Sequence, residues 1–103
     1  MSEILIKLGV GGTRLDQSHQ RLWDIPKAWE NVFPAENLII TSTWEATHKT
    51  SGYHYKRRAW DIRRPKNTTT DHIKALQDQL GPDFYVLDEK THIHIHYAGK
   101  EPP

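Results

Sequence analysis

Hydrophobic positions fall in short runs, and the period of those runs changes along the chain. Ile4, Leu5, Ile6 and Leu8 form the first run, ended by Gly9, Gly11 and Gly12. This predicts a strand followed by a turn, in an edge or early position of a sheet. Thr13–Asp24 is polar, with Leu15, Leu22 and Trp23 as its strong apolar anchors, and allows a short helix. In Ile25–Phe33, Pro26 suits a first helical turn, and Ile25, Trp29, Val32 and Phe33 fall near helical spacing. Pro34 stops that helix. Asn37–Thr43 is rich in β-branched residues and predicts a strand. Trp44–Tyr53 has no period and predicts a loop.

The second half is more regular. Arg58–Arg63 alternates, so Ala59 and Asp61 face one way while Trp60 and Ile62 face the other. Pro65–Thr69 predicts a turn. Thr70 or Asp71 is the expected cap of a helix running to about Leu80, with Ile73, Leu76, Leu80 and the stem of Lys74 inward. Gly81 and Pro82 close it. Phe84–Leu87 and His92–Tyr97 predict a hairpin joined through Asp88–Thr91, with Ala98–Pro103 as a tail. In the last strand, period two sets His92, His94 and His96 on one face and Ile93 and Ile95 in the core. That histidine face must meet a cleft, a metal or solvent. The order of elements predicts an α+β fold: a small antiparallel sheet with two or three helices flanking one side.

Composition narrows the functional classes. The 103 residues suit one domain, 1–103, which at this size buries only about two-thirds of its unfolded surface. A bound metal would help stabilise it. A net charge of +1 argues against a dedicated nucleic-acid or membrane-surface protein. Lys56, Arg57, Arg58, Arg63, Arg64 and Lys66 nevertheless cluster, which would suit an anionic substrate. The absence of cysteine excludes disulfides and thiolate zinc ligands. No apolar run reaches membrane-spanning length, and the N-terminus lacks the features of a secretory signal.

Seven histidines are many for this length, and four lie in two stretches, SGYHYKRRAWD (Ser51–Asp61) and EKTHIHIH (Glu89–His96). His54, Asp61 and His92, with Glu89 three residues before His92, offer two imidazoles, a carboxylate and a spare acid. Three such ligands with an open position for water suit catalytic zinc, and a neighbouring carboxylate suits a base. His96 is expected to be an exposed or packing histidine, and His19 and His72 carry no motif. Trp44 and Trp60 lie near the site in sequence and could line a groove.

The pattern His54-x-x-x-x-Ala59-x-Asp61, later Glu89-x-x-His92-x-His94, resembles zinc peptidases of the VanX and VanY type and related phage endolysins, which share the Hedgehog/DD-peptidase fold. Thr41-Ser42, His48, His54-Tyr55-Lys56, Ala59, Asp61-Ile62-Arg63, Glu89 and His92-Ile93-His94 carry the likeness, which spans about Thr41 to Tyr97. Gly52 and Arg57 depart from it, standing where the family has serine and glycine. The resemblance implies that His54, Asp61 and His92 bind Zn2+ and that Glu89 is the catalytic base. It implies a substrate-facing or supporting role for His48, His94 and Arg63. It further implies hydrolysis of peptide bonds in bacterial peptidoglycan stems, with no nucleic-acid partner or membrane insertion. The protein would be a monomer made in the cytoplasm, reaching the cell wall by phage-type release or within a virion.

A rival class also fits part of the pattern. His92-Ile93-His94 is a His-hydrophobe-His element of the kind that binds a divalent metal in DNA-nicking nucleases, and Tyr53-x-x-Lys56 resembles their tyrosine motif. In those nucleases the tyrosine follows the histidines; here it precedes them, and the near-neutral charge is poor for DNA. A non-catalytic zinc-binding module is a third class, against which Glu89 speaks, because a purely structural site needs no base.

Overall fold

In a computed structural model, the described residues are 4–6, 18–43 and 58–101. The strands are β1 (Ile4–Ile6), β2 (Leu38–Thr43), β3 (Ala59–Arg63), β4 (Phe84–Asp88) and β5 (His92–Tyr97). A 3-10 helix at Gln20–Asp24 leads directly into α1 (Ile25–Val32), and α2 (Thr70–Leu80) joins β3 to β4. The sheet order is β1-β2-β3-β5-β4. Strands β2, β3, β5 and β4 are antiparallel to their neighbours, as the sequence predicts, whereas β1 adds to the edge parallel to β2. The fold is thus α+β, with four antiparallel strands, one parallel edge strand and two α-helices among the described residues.

The connections follow from strand direction. Both β3 and β4 run antiparallel to β5, so they are parallel to each other. Parallel strands need a crossover, and α2 supplies it. Thr69, rather than Thr70 or Asp71, caps α2: its hydroxyl accepts from the His72 N–H, and His72 Nδ1 accepts from the Thr69 N–H at 3.0 Å. A histidine thus takes the usual Glu/Gln position of a capping box, a role for His72 that its sequence context does not announce. Lys74 is exposed rather than inward, leaving Leu76 and Leu80 buried and Ile73 partly so. Gly81 ends the helix at φ 94°, ψ −178°, a conformation open essentially to glycine alone. Gln77 then reaches the free edge of β4, donating to the Phe84 carbonyl at 2.7 Å and accepting from the Val86 N–H at 3.1 Å. Such plugging of an edge strand blocks further strand pairing there.

The core lies on one face of the sheet. Leu38 and Ile40, Trp60 and Ile62, Phe84 and Val86, and Ile93, Ile95 and Tyr97 meet Leu22, Ile25, Trp29 and Leu76 from the helical layer. Trp60 therefore belongs to the core, fully buried, with its indole N–H donating to Ser18 Oγ at 2.8 Å, and does not line a groove. Each such burial stabilises the fold by roughly 1.5–3 kcal/mol.

The C-terminal segment expected to be a tail is partly docked. His19 Nδ1 accepts from the Arg21 N–H, which leaves its Nε2 to donate to the Glu101 carbonyl at 2.9 Å. Arg58 donates to the carbonyls of Gly99 (3.0 Å) and Glu101 (3.3 Å) while lying over the Tyr97 ring. Arg21 binds the Glu101 carboxylate. His19, which has no motif, is thus a buried structural residue.

Candidate metal centre

The opposite face of β3 and β5 carries the polar row. Ile62 pairs with Ile93 and Trp60 with Ile95, so Asp61 stands opposite His94, Arg63 opposite His92, and Ala59 opposite His96. The side chains that bury the isoleucines necessarily present the histidines on the far side.

Three donors converge there. Asp61, Glu89 and His92 each offer a ligand atom within 4.8 Å of the others. His92 Nε2 lies 2.9 Å from Glu89 Oε1 and 3.9 Å from Asp61 Oδ2. Asp61 is buried, His92 half-buried and Glu89 exposed, so the group opens from the sheet towards solvent. Two carboxylate oxygens directed at one imidazole nitrogen form an acceptor-rich pocket. A carboxylate can only accept, so His92 Nε2 carries the proton that Glu89 Oε1 accepts. A divalent cation would take its place, since a ligating nitrogen must give up its proton. This group could hold a metal ion.

The turn before β5 sets Glu89. The Glu89 N–H donates to the His92 carbonyl at 2.9 Å, and the Thr91 N–H donates to the Glu89 carbonyl at 2.8 Å. Lys90 adopts φ 71°, an uncommon left-handed conformation for a non-glycine residue, and its N–H is held by Asp88 Oδ1 at 3.2 Å. Asp88 is itself gripped by Arg64, whose Nε and Nη2 donate to its two oxygens at 2.7 and 3.0 Å. That hydrogen bonding holds the Asp88 carboxyl below the usual carboxylate range. Arg64 is therefore committed to the turn, and Arg58 to the C-terminal segment, rather than to a basic substrate patch. Thr91 Oγ1 lies 3.1 Å from His92 Nδ1. A hydroxyl can donate or accept, so Thr91 can serve either tautomer of His92, with or without a cation on Nε2.

His94 and His96 lie behind this opening. His94 Nδ1 is 2.7 Å from Asp61 Oδ1, and His94 Nε2 is 3.0 Å from His96 Nδ1. Of the two places expected for it, His96 takes the packed one: it is buried, and the Tyr85 ring stacks on it at 5.0 Å and 16°. Its place in the chain follows from period two, but its partners come from β3 and β4 and carry no sequence signal.

Among the predicted site residues, Asp61, Glu89 and His92 are brought together, His94 supports Asp61, and Arg63 stands exposed on the rim. His48, His54 and Trp44 lie outside the described residues. A cavity of about 460 Å3, lined in part by Arg21, Trp23, Lys27, Asn31 and Gln79, lies among helical-layer residues and includes none of the three donors. Comparisons with family models, with curated proteins and with solved structures find no match for this chain.

Proposed function

We propose that the chain is a zinc peptidase of the Hedgehog/DD-peptidase type acting on peptidoglycan stem peptides. The observation that carries the reading is the convergence of Asp61, Glu89 and His92, contributed by two neighbouring strands and the turn between β4 and β5. Carboxylate and imidazole donors with a solvent-facing side fit catalytic zinc. In this reading His54 and His92 with Asp61 hold the ion, and Glu89 stays off it as the base. The substrate class rests on the resemblance between Thr41 and Tyr97. The exposed side chains of Tyr85 and Leu87, on the same face as the histidines, offer an apolar flank for a bound peptide.

When bound, zinc supplies Lewis-acid activation of water and of the scissile carbonyl. Glu89 accepts a proton from the attacking water and returns it to the departing amine nitrogen. Its exposure and its place in the turn before β5 suit that exchange. Asp61 and His92, fixed on a paired ladder, keep the donors in place.

The test is digestion of purified peptidoglycan by the zinc-loaded chain, with product masses. New amino and carboxyl termini at one bond are expected. Glu89→Gln should lower turnover by roughly 10²–10⁴-fold, the usual contribution of a general base, while keeping zinc affinity. Unchanged turnover in Glu89→Gln would refute the mechanism. Loss of zinc in that variant would make Glu89 a ligand instead. The nuclease reading predicts the opposite pattern, DNA nicking in Mn2+ without amide hydrolysis.

A further inference from the structure

We infer that His94 and His96 form a brace that fixes Asp61 as a single-oxygen ligand, and that Tyr85 clamps its far end. This rests on the metal centre proposed above and assigns a role to two histidines that would not touch the ion.

A carboxylate on a metal can bind through one oxygen or both, and the choice alters coordination number and leaves more or less room for water. Asp61 has its two oxygens in different surroundings. Oδ1 is 2.7 Å from His94 Nδ1, whereas Oδ2 faces His92 Nε2 at 3.9 Å. A carboxylate can only accept, so His94 Nδ1 carries the proton. His94 Nε2 in turn meets His96 Nδ1 across 3.0 Å. A continuous chain of contacts therefore runs from His96 through His94 to Asp61 Oδ1. Oδ2 is the oxygen turned towards His92 Nε2.

The brace is rigid for reasons visible in the sheet. Asp61 and His94 are register partners on β3 and β5, and His96 with Tyr85 are register partners on β5 and β4. His94 and His96 are both buried, and the Tyr85 ring lies nearly parallel to that of His96. Three adjacent strands thus hold one carboxylate oxygen. The arrangement inverts the common one, in which a carboxylate orients a ligating histidine.

The test is zinc affinity by competition with a chromogenic chelator, for the wild-type chain and for His94→Ala, His94→Asn and His96→Ala. Loss of an outer partner typically weakens metal binding about 10–100-fold, which is the expectation for His94→Ala. His94→Asn places an amide N–H near the lost Nδ1–H and should recover most of that affinity. A cavity effect alone would not be rescued by asparagine. His96→Ala should weaken binding less than His94→Ala. Histidine 15N spectra of the wild-type protein provide a readout independent of folding losses: the proton should sit on His94 Nδ1. A proton on Nε2 alone would overturn the brace. So would wild-type affinity in His94→Ala, with the metal centre left standing. Failure of the wild-type chain to bind zinc would instead overturn the centre itself, and the brace's role with it.

Discussion

On the proposed centre, zinc should raise the melting temperature of this chain strongly, because Asp61 and His92 meet, with Glu89 beside them, only in the folded sheet. Asp61 and Glu89 are far apart in sequence and are brought within reach by β3–β5 pairing and the turn before β5. The unfolded chain lacks that arrangement, so the ion binds the native state in preference. At a free zinc concentration one hundred times Kd, the stabilisation is about 2.7 kcal/mol. For 103 residues, an unfolding entropy near 2.1 cal/mol/K per residue amounts to about 0.2 kcal/mol/K, giving a shift of roughly 12 °C. Each further tenfold in zinc adds about 1.4 kcal/mol, or roughly 6 °C. The assay is circular-dichroism melting across a zinc series, with magnesium as control, since magnesium prefers an all-oxygen octahedral shell. His92→Ala removes the imidazole facing both carboxylates and should flatten the series. With seven histidines in the chain, weak surface binding is the rival explanation. Such binding would survive in His92→Ala. A flat series for the wild type, or an equal rise in the variant, would refute the reasoning.

Two smaller effects test the scaffold around the centre. Thr69→Ala removes the side-chain acceptor of the α2 capping box and should cost about 1 kcal/mol, roughly 5 °C for a domain of this size; an unchanged melting curve would show the cap to be idle. Asp88 has its carboxyl held low by Arg64. Its contribution is therefore full above the ordinary carboxylate range and disappears as pH falls through the depressed folded value. Melting of the wild type and of Asp88→Asn, compared from pH 7 down to about pH 2, should converge only in the acid limb. A gap that stays constant across that range would contradict the linkage.

Much of this architecture is legible in local pattern. The alternation in β3 and β5 gives the two faces correctly, because Trp60, Ile62, Ile93 and Ile95 join the apolar core on one face. Helix spans follow from Pro26, Gly81 and apolar spacing. Asp61, Glu89 and His92 are expected in one site with His54 by resemblance; β3–β5 pairing brings those three together, and His54 lies outside the described residues. What the sequence hides is pairing between distant segments. Nothing in Ile4–Ile6 distinguishes a parallel from an antiparallel neighbour. His19, Arg58 and Glu101 look like separate polar residues, yet together they tie the C-terminal segment to the 3-10 helix and the start of β3. His72 carries no motif because the reciprocal place in a capping box is usually filled by Glu or Gln. The pattern of β5 leaves His96 as a surface or packing residue, and the register with His94 and Tyr85 decides for packing.

That register links the core to the chemistry. The apolar side of β3 and β5 fixes Ile62 against Ile93 and Trp60 against Ile95. A slip by one residue would turn Asp61 and the histidines into the apolar core and take the isoleucines out of it, at a cost of several kcal/mol. The placement of Asp61 opposite His94, and diagonally from His92, is therefore enforced by burial on the other face of the same two strands. The candidate centre thus takes its strand register from the core, while the contacts of His94 set Asp61 within it. It also makes a directional claim: enlarging or shrinking the core at Ile93 or Ile95 should disturb the centre through the shared ladder, whereas changes at exposed Lys74 or Asp78 on α2 should leave it alone.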